Sequence, residues 1–255
     1  MAELRSVNSL PSRGGPAVPI VVSVVGTTPL AAELRAFISS SGVTVADVTE
    51  PSVDFVIVAS VEHGSTARDL VAEVGQRAHQ DAVIAVTTST LSLEDLTTAV
   101  PNAERVCGLH FFTPVDRTKV VELISGLRTS AATMARAREF AKSVEVAVVE
   151  TPDRPGYLVD RLHVPYLNDV IQAFDDGLAS AADIDIALRL GLGYPVGPLE
   201  YLDTMGLDVH ARRTASLHQS LPTGEFAPPP LLLRLVSAGW TGDAAGRGIS
   251  TMDQE

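Results

Sequence analysis

With 255 residues, 45% of them hydrophobic and 20% charged, the chain has the balance of a globular protein, with room for one large domain or two modest ones. A formal net charge of −12 excludes the phosphate-neutralising surface of a nucleic-acid binder, and the lack of any run of about 18 apolar residues argues against a membrane span. One cysteine, Cys107, excludes an internal disulfide and a zinc site made of several thiolates, and it fits a reducing cytoplasm.

Residues 1–18 hold Arg5 and Arg13 among Ser, Gly and Pro, without the apolar segment of a secretory signal, and are read as a flexible lead-in. Ile20–Val25 is an almost wholly apolar run ending at Gly26, the pattern of a strand buried on both faces. Leu30–Ser40 has helical spacing and stops at Gly42; Val43–Val48 reads as a second strand. Phe55–Ala59 and Val83–Thr87 are two further strands around a helix at Ser65–His79. Val106–Leu109 leads straight into His110; Thr129–Lys142 reads as a helix and Val144–Val149 as a closing strand. Strands alternating with helices predict an α/β, Rossmann-like and mainly parallel sheet domain over 19–150. After Pro152, Pro155 and Gly156 the strand signals stop. Helical patterns follow at Leu158–Phe174, Ser180–Leu190, after Pro198 and at Leu231–Ala238, which predicts an all-α domain over 151–255.

Two residues suggest chemistry. A histidine that takes a proton from an alcohol needs a fixed tautomer, and a carboxylate on its far nitrogen supplies it. His110 has such a candidate in Glu122, although spacing alone does not bring the two together. His63, His79, His163, His210 and His218 show no metal-ligand spacing, so no metal site is expected.

Gly108-Leu109-His110-Phe111-Phe112-Thr113-Pro114-Val115 with Lys119-Val120-Val121-Glu122 resembles the active-site segment of the 3-hydroxyacyl-CoA dehydrogenases. Pro155-Gly156-Tyr157-Leu158-Val159-Asp160-Arg161 and Asp183-Ile184-Asp185 through Gly197-Pro198-Leu199-Glu200 are similar to two further motifs of that family, in the same order. The resemblance implies NAD as cofactor, an acyl-CoA substrate and a homodimer formed by the helical domain. It implies catalytic roles for His110, Glu122, Ser89 and Asp160, and cofactor contacts from Gly26, Thr28, Ala31, Asp47, Glu62 and Thr113.

The chain also departs from the family pattern. Thr28 stands for the second glycine of the phosphate loop, Pro29 removes a backbone donor, and Thr113 and Asp160 each replace an asparagine. Asp243 and Ala244 stand where the family carries lysines, and the seven residues between Asp47 and Phe55 leave no room for the family's helix pair that contacts coenzyme A. Two other readings therefore stay open: a paralogue that keeps the scaffold without catalysis or with weak NAD binding, and a dehydrogenase of a small 3-hydroxy acid without CoA.

Overall fold

The computed structural model describes residues 20–59, 64–88 and 91–254. The lead-in at 1–18, Ser89 and Glu62 lie outside them. A seven-stranded sheet runs in the order β2-β1-β3-β4-β5-β6-β7. Its strands are β1 (Val21–Val25), β2 (Thr44–Val45), β3 (Phe55–Ala59), β4 (Val83–Thr87), β5 (Val106–Phe111), β6 (Val120–Ser125) and β7 (Ala147–Pro152). The first five are mutually parallel; β6 reverses against β5, and β7 runs parallel to β6.

Both faces of this sheet are covered, which is why its central strands are mostly apolar, with Thr87 and His110 as buried polar residues near their carboxyl ends. Phe55, Ile57 and Ala59 face the helices α1 (Pro29–Ser40) and α4 (Ala131–Ser143), where Phe55 stacks on Phe140 with ring centroids 4.5 Å apart. Val56 and Val58, the alternate residues, pack with α2 (Gly64–Arg77) and α3 (Leu93–Leu96). Each large side chain buried this way contributes about 2 kcal/mol relative to leaving it in water.

After β7 no further strand occurs among the described residues, and five helices follow. They are α5 (Val159–Asp175), α6 (Ala181–Leu192), α7 (Pro198–Met205), α8 (Leu207–Ser220) and α9 (Pro230–Ser237). They share a core of Leu167, Ile171, Leu199, Leu202, Leu207, Leu232 and Leu235. Two carboxylates knit it: Asp185 accepts the N–H groups of Leu199 and Glu200 at the start of α7, and Asp203 accepts those of Ile249 and Ser250. A Rossmann-like α/β sheet region followed by an all-helical region is the fold class expected.

Several expectations are corrected. The second strand is not Val43–Val48 but two exposed residues, because it is an edge strand and the chain turns away at Asp47, whose carboxylate takes the N–H and hydroxyl of Thr49. The closing strand begins at Ala147, since Val144 and Val146 are buried as the end of α4 packs. The sequence pattern also misses β6 and α8. Glu122 interrupts the apolar run of β6, and α8 carries His210 and Thr214 on what becomes a buried face.

Candidate active site

His110 lies within β5 rather than after it, and the antiparallel register of β5 and β6 places Glu122 directly opposite. Side chains of directly opposed residues leave the sheet on the same face, so register alone brings the two together. Their contact is short: His110 Nδ1 is 2.6 Å from Glu122 Oε2. Glu122 Oε1 accepts the backbone N–H groups of Leu158 and Val159, each at 2.9 Å, at the N-terminus of α5. Three hydrogen bonds and the positive end of a helix therefore surround one carboxylate. Burial pushes the Glu122 carboxyl up, but the hydrogen bond to His110, the Val159 N–H, the charge of His110 and the Leu158 N–H outweigh it and hold the group below its ordinary range.

An ionised Glu122 can only accept, so Nδ1 carries a proton, and in the neutral ring Nε2 then holds the free lone pair. His110 is 8% exposed and Glu122 1%, which makes the imidazole the member of the pair that a ligand can reach. Phe112 meets the His110 ring edge-on at 4.8 Å, and Tyr157 lies 5.9 Å away. Tyr157 has a φ of +46° and follows Gly156 at +75°, so this turn aims the backbone of Leu158 and Val159 at Glu122. An open cavity of about 580 Å³ begins at Val159 and runs along α5 past Leu162, His163 and Tyr166 to Tyr194.

Asp160, the next residue, turns the other way. It is buried, with Oδ1 4.0 Å from Arg213 Nη1 and Oδ2 without a hydrogen-bond partner among the described residues. No hydrogen bond links it to His110. Thr113 is exposed, just before the cis Thr113–Pro114 bond, and no side-chain hydrogen bond ties it to the pair either.

The dinucleotide loop passes one test and strains another. Gly26 has a φ of +136°, and a Cβ there would fall 2.1 Å from Ala59 O, so the strand-to-helix turn admits glycine alone. Thr28 is the N-cap of α1; its Oγ1 accepts the Ala31 N–H at 3.2 Å and donates to Ala59 O at 3.3 Å. With Pro29 lacking an N–H, the helix end offers two donors fewer to a phosphate than its geometry allows. Asp47 stands two residues beyond β2, and its carboxyl is held below its ordinary range by the backbone and then the hydroxyl of Thr49. These residues fit a dinucleotide, held by fewer backbone contacts than the loop could make.

The model of the 3-hydroxyacyl-CoA dehydrogenase NAD binding domain matches residues 27–154, and that of the 3-hydroxyacyl-CoA dehydrogenase C-terminal domain matches 156–252. The chain belongs to the 3-hydroxyacyl-CoA dehydrogenase family. It is 39% identical to a 3-hydroxybutyryl-CoA dehydrogenase of Mycobacterium tuberculosis, over 77% of this chain and 69% of that protein. It is 39% identical to a probable 3-hydroxyacyl-CoA dehydrogenase of Caenorhabditis elegans over 77% of this chain and 64% of that protein, and 35% identical to the mitochondrial hydroxyacyl-coenzyme A dehydrogenase of Sus scrofa over 78% and 63%. The matched part of the chain thus spans about two thirds of these relatives. The crystal structure of M. tuberculosis FadB2 superposes with a TM-score of 0.83 at 29% identity, covering 92% of this chain and 99% of that one. NAD is the cofactor that the family's domain binds.

Three contributors to the site escape sequence reading. The N–H groups of Leu158 and Val159 have no side-chain signature, although the Pro-Gly pair before them marks a turn. Arg35 reaches the carbonyls of Val24 and Gly26, a contact that its place on an amphipathic helix does not announce. Among the described residues no cluster of His, Cys, Asp or Glu could hold a metal ion, and no helix is long and apolar enough to cross a membrane.

Proposed function

We propose that the chain is an NAD-dependent 3-hydroxyacyl-CoA dehydrogenase, oxidising the 3-hydroxyl of an acyl-CoA to the 3-oxo group in fatty-acid oxidation or butanoate-type metabolism. The observation that carries this reading is the buried Glu122–His110 pair at 2.6 Å, closed from behind by the start of α5. In the proposed reaction, Nε2 of His110 takes the hydroxyl proton as the O–H bond breaks, and Glu122 stabilises the imidazolium that forms. NAD, when bound, accepts the hydride that leaves C3 of the substrate. Ser89 and Asp160 complete the catalytic set of this proposal, with Gly26, Thr28, Ala31, Asp47, Glu62 and Thr113 holding the cofactor. The open cavity lined by Val159, Leu162, His163, Tyr166 and Tyr194 is the place this proposal gives to the acyl chain.

The same proposal includes a homodimer formed by the helical region over 151–255, supported by Ile186, Leu190 and Leu192 of α6, which are 52%, 82% and 64% exposed. It also includes a cytoplasmic setting, supported by the single cysteine, Cys107, which is a free, buried thiol.

The test is turnover of 3-hydroxybutyryl-CoA with NAD by wild type and by His110→Ala, both shown to be folded by circular dichroism. A loss of about 10³-fold or more in kcat is expected in the variant. Equal rates would refute the reading. A scaffold with weak cofactor binding is favoured by one observation, the Thr28 hydroxyl that occupies the Ala31 N–H. Calorimetric titration with NADH separates the two: micromolar affinity supports the enzyme, and no heat at millimolar concentration supports the scaffold. Assay of free 3-hydroxy acids beside their CoA thioesters tests the third reading, in which the short turn between Asp47 and Phe55 signals a substrate without CoA.

A further inference from the structure

Arg35 lies on α1, and its side chain turns back to the carboxyl end of β1. There Nη2 donates to Val24 O at 2.9 Å and to Gly26 O at 2.7 Å. The reason is visible in the ladder. Val22 O takes the N–H of Ala46 at 2.9 Å, but β2 ends at Val45 and the chain turns off, so no backbone donor follows for the next carbonyl on that side, Val24 O. One guanidinium nitrogen fills the gap. Its Nε and Nη1 donate to no described residue, and no described carboxylate pairs with it, in a chain of net charge −12.

The position matters. β1 is the strand from which the chain runs to β2 on one side and to β3 on the other, and open α/β sheets take ligands outside the carboxyl end of such a strand. The helix end at that place has two donors fewer for a phosphate, one lost to Pro29 and one to the Thr28 hydroxyl. A guanidinium already fixed by two carbonyls presents its remaining N–H groups at little further entropic cost, in the planar geometry that suits phosphate oxygens.

We propose that Arg35 is the phosphate-binding cation of the dinucleotide site, replacing by a side-chain charge the backbone donors that Thr28 and Pro29 remove. This rests on the reading that the chain binds a dinucleotide. The test is calorimetric titration of wild type, Arg35→Gln and Arg35→Lys with NADH, NADPH, ADP and adenosine, with thermal midpoints recorded for each protein. Gln keeps an amide donor for the strand carbonyls and removes the charge; Lys keeps the charge. ADP and NADH affinity is expected to fall about tenfold or more in Arg35→Gln and much less in Arg35→Lys, with adenosine binding unchanged. Equal losses for NADPH and NADH put the cation at the pyrophosphate and support the proposal; a larger loss for NADPH than for NADH puts it at the 2′-phosphate, where it replaces no loop donor, and overturns it. Wild-type affinity for ADP in Arg35→Gln, or an equal loss for ADP and adenosine, overturns it and leaves Arg35 a strand cap. A wild type that binds none of the four ligands overturns the cofactor reading itself, a result distinct from the others.

Discussion

Glu122 accepts the N–H of Val159 at 2.9 Å with the oxygen that it does not share with His110. One carboxylate thus joins the sheet to the first helix after it while fixing the imidazole. Chemistry and the packing of the two regions depend on the same side chain, which makes its replacement informative.

Glu122→Gln keeps the shape but offers one acceptor for three donors. A kcat loss of about 10²–10⁴-fold is expected, through loss of the Nδ1–H tautomer. Glu122→Ala is expected to cost about 3 kcal/mol of stability, because buried donors lose their partner. The folded carboxyl titrates below its ordinary 4.5, so ionisation favours the fold. That contribution is complete above about pH 4.5 and is lost as pH falls through the lowered folded value. Urea unfolding of wild type and Glu122→Gln from pH 7 down to pH 3 checks this; parallel curves would contradict it.

His210 gives a second pH dependence, at higher pH. It is wholly buried on α8, donating from Nε2 to Asn168 Oδ1, while Asn168 donates to Thr214 and to Glu225 O. Burial, then Arg213 and His163, bring its pKa from 6.5 down to about 3. The neutral ring is the folded form, so its contribution is full above about pH 6.5 and is lost as pH falls towards 3. Between pH 7 and pH 5 that loss is roughly 2 kcal/mol. His210→Gln is expected to flatten this part of the curve, as read from urea midpoints at the two pH values.

Gly26→Ala places a Cβ 2.1 Å from Ala59 O at a φ of +136°. A loss of about 2 kcal/mol is expected from strain alone. Since β1 and β3 must part to admit the methyl group, NADH affinity should fall with it. Thermal melting and NADH titration of the same sample measure both, and unchanged values in either would show that the turn is looser than described.

Leu190 is 82% exposed on α6. Leu190→Glu is expected to convert a dimer to a monomer in sedimentation equilibrium, with helical content unchanged because the side chain is largely exposed among the described residues. A monomeric wild type would remove the homodimer from the proposal.

Much of the molecule is determined by the residues alone. The apolar runs at Phe55–Ala59 and Val83–Thr87 coincide with β3 and β4, because strands buried on both faces carry few polar residues to blur the pattern, here only the terminal Thr87. His110 and Glu122 stand out through the motifs around them. What tertiary structure decides is whatever depends on a partner distant in the chain. The β5–β6 register that sets His110 opposite Glu122, the start of α5 reaching Glu122 and the turn of Asp160 towards Arg213 all join residues with no local sign of their pairing. β6 and α8 are illegible for the same reason, since each buries polar groups that only a distant partner satisfies. Local pattern records which face of an element avoids water; which polar group answers another is settled only when the chain has closed.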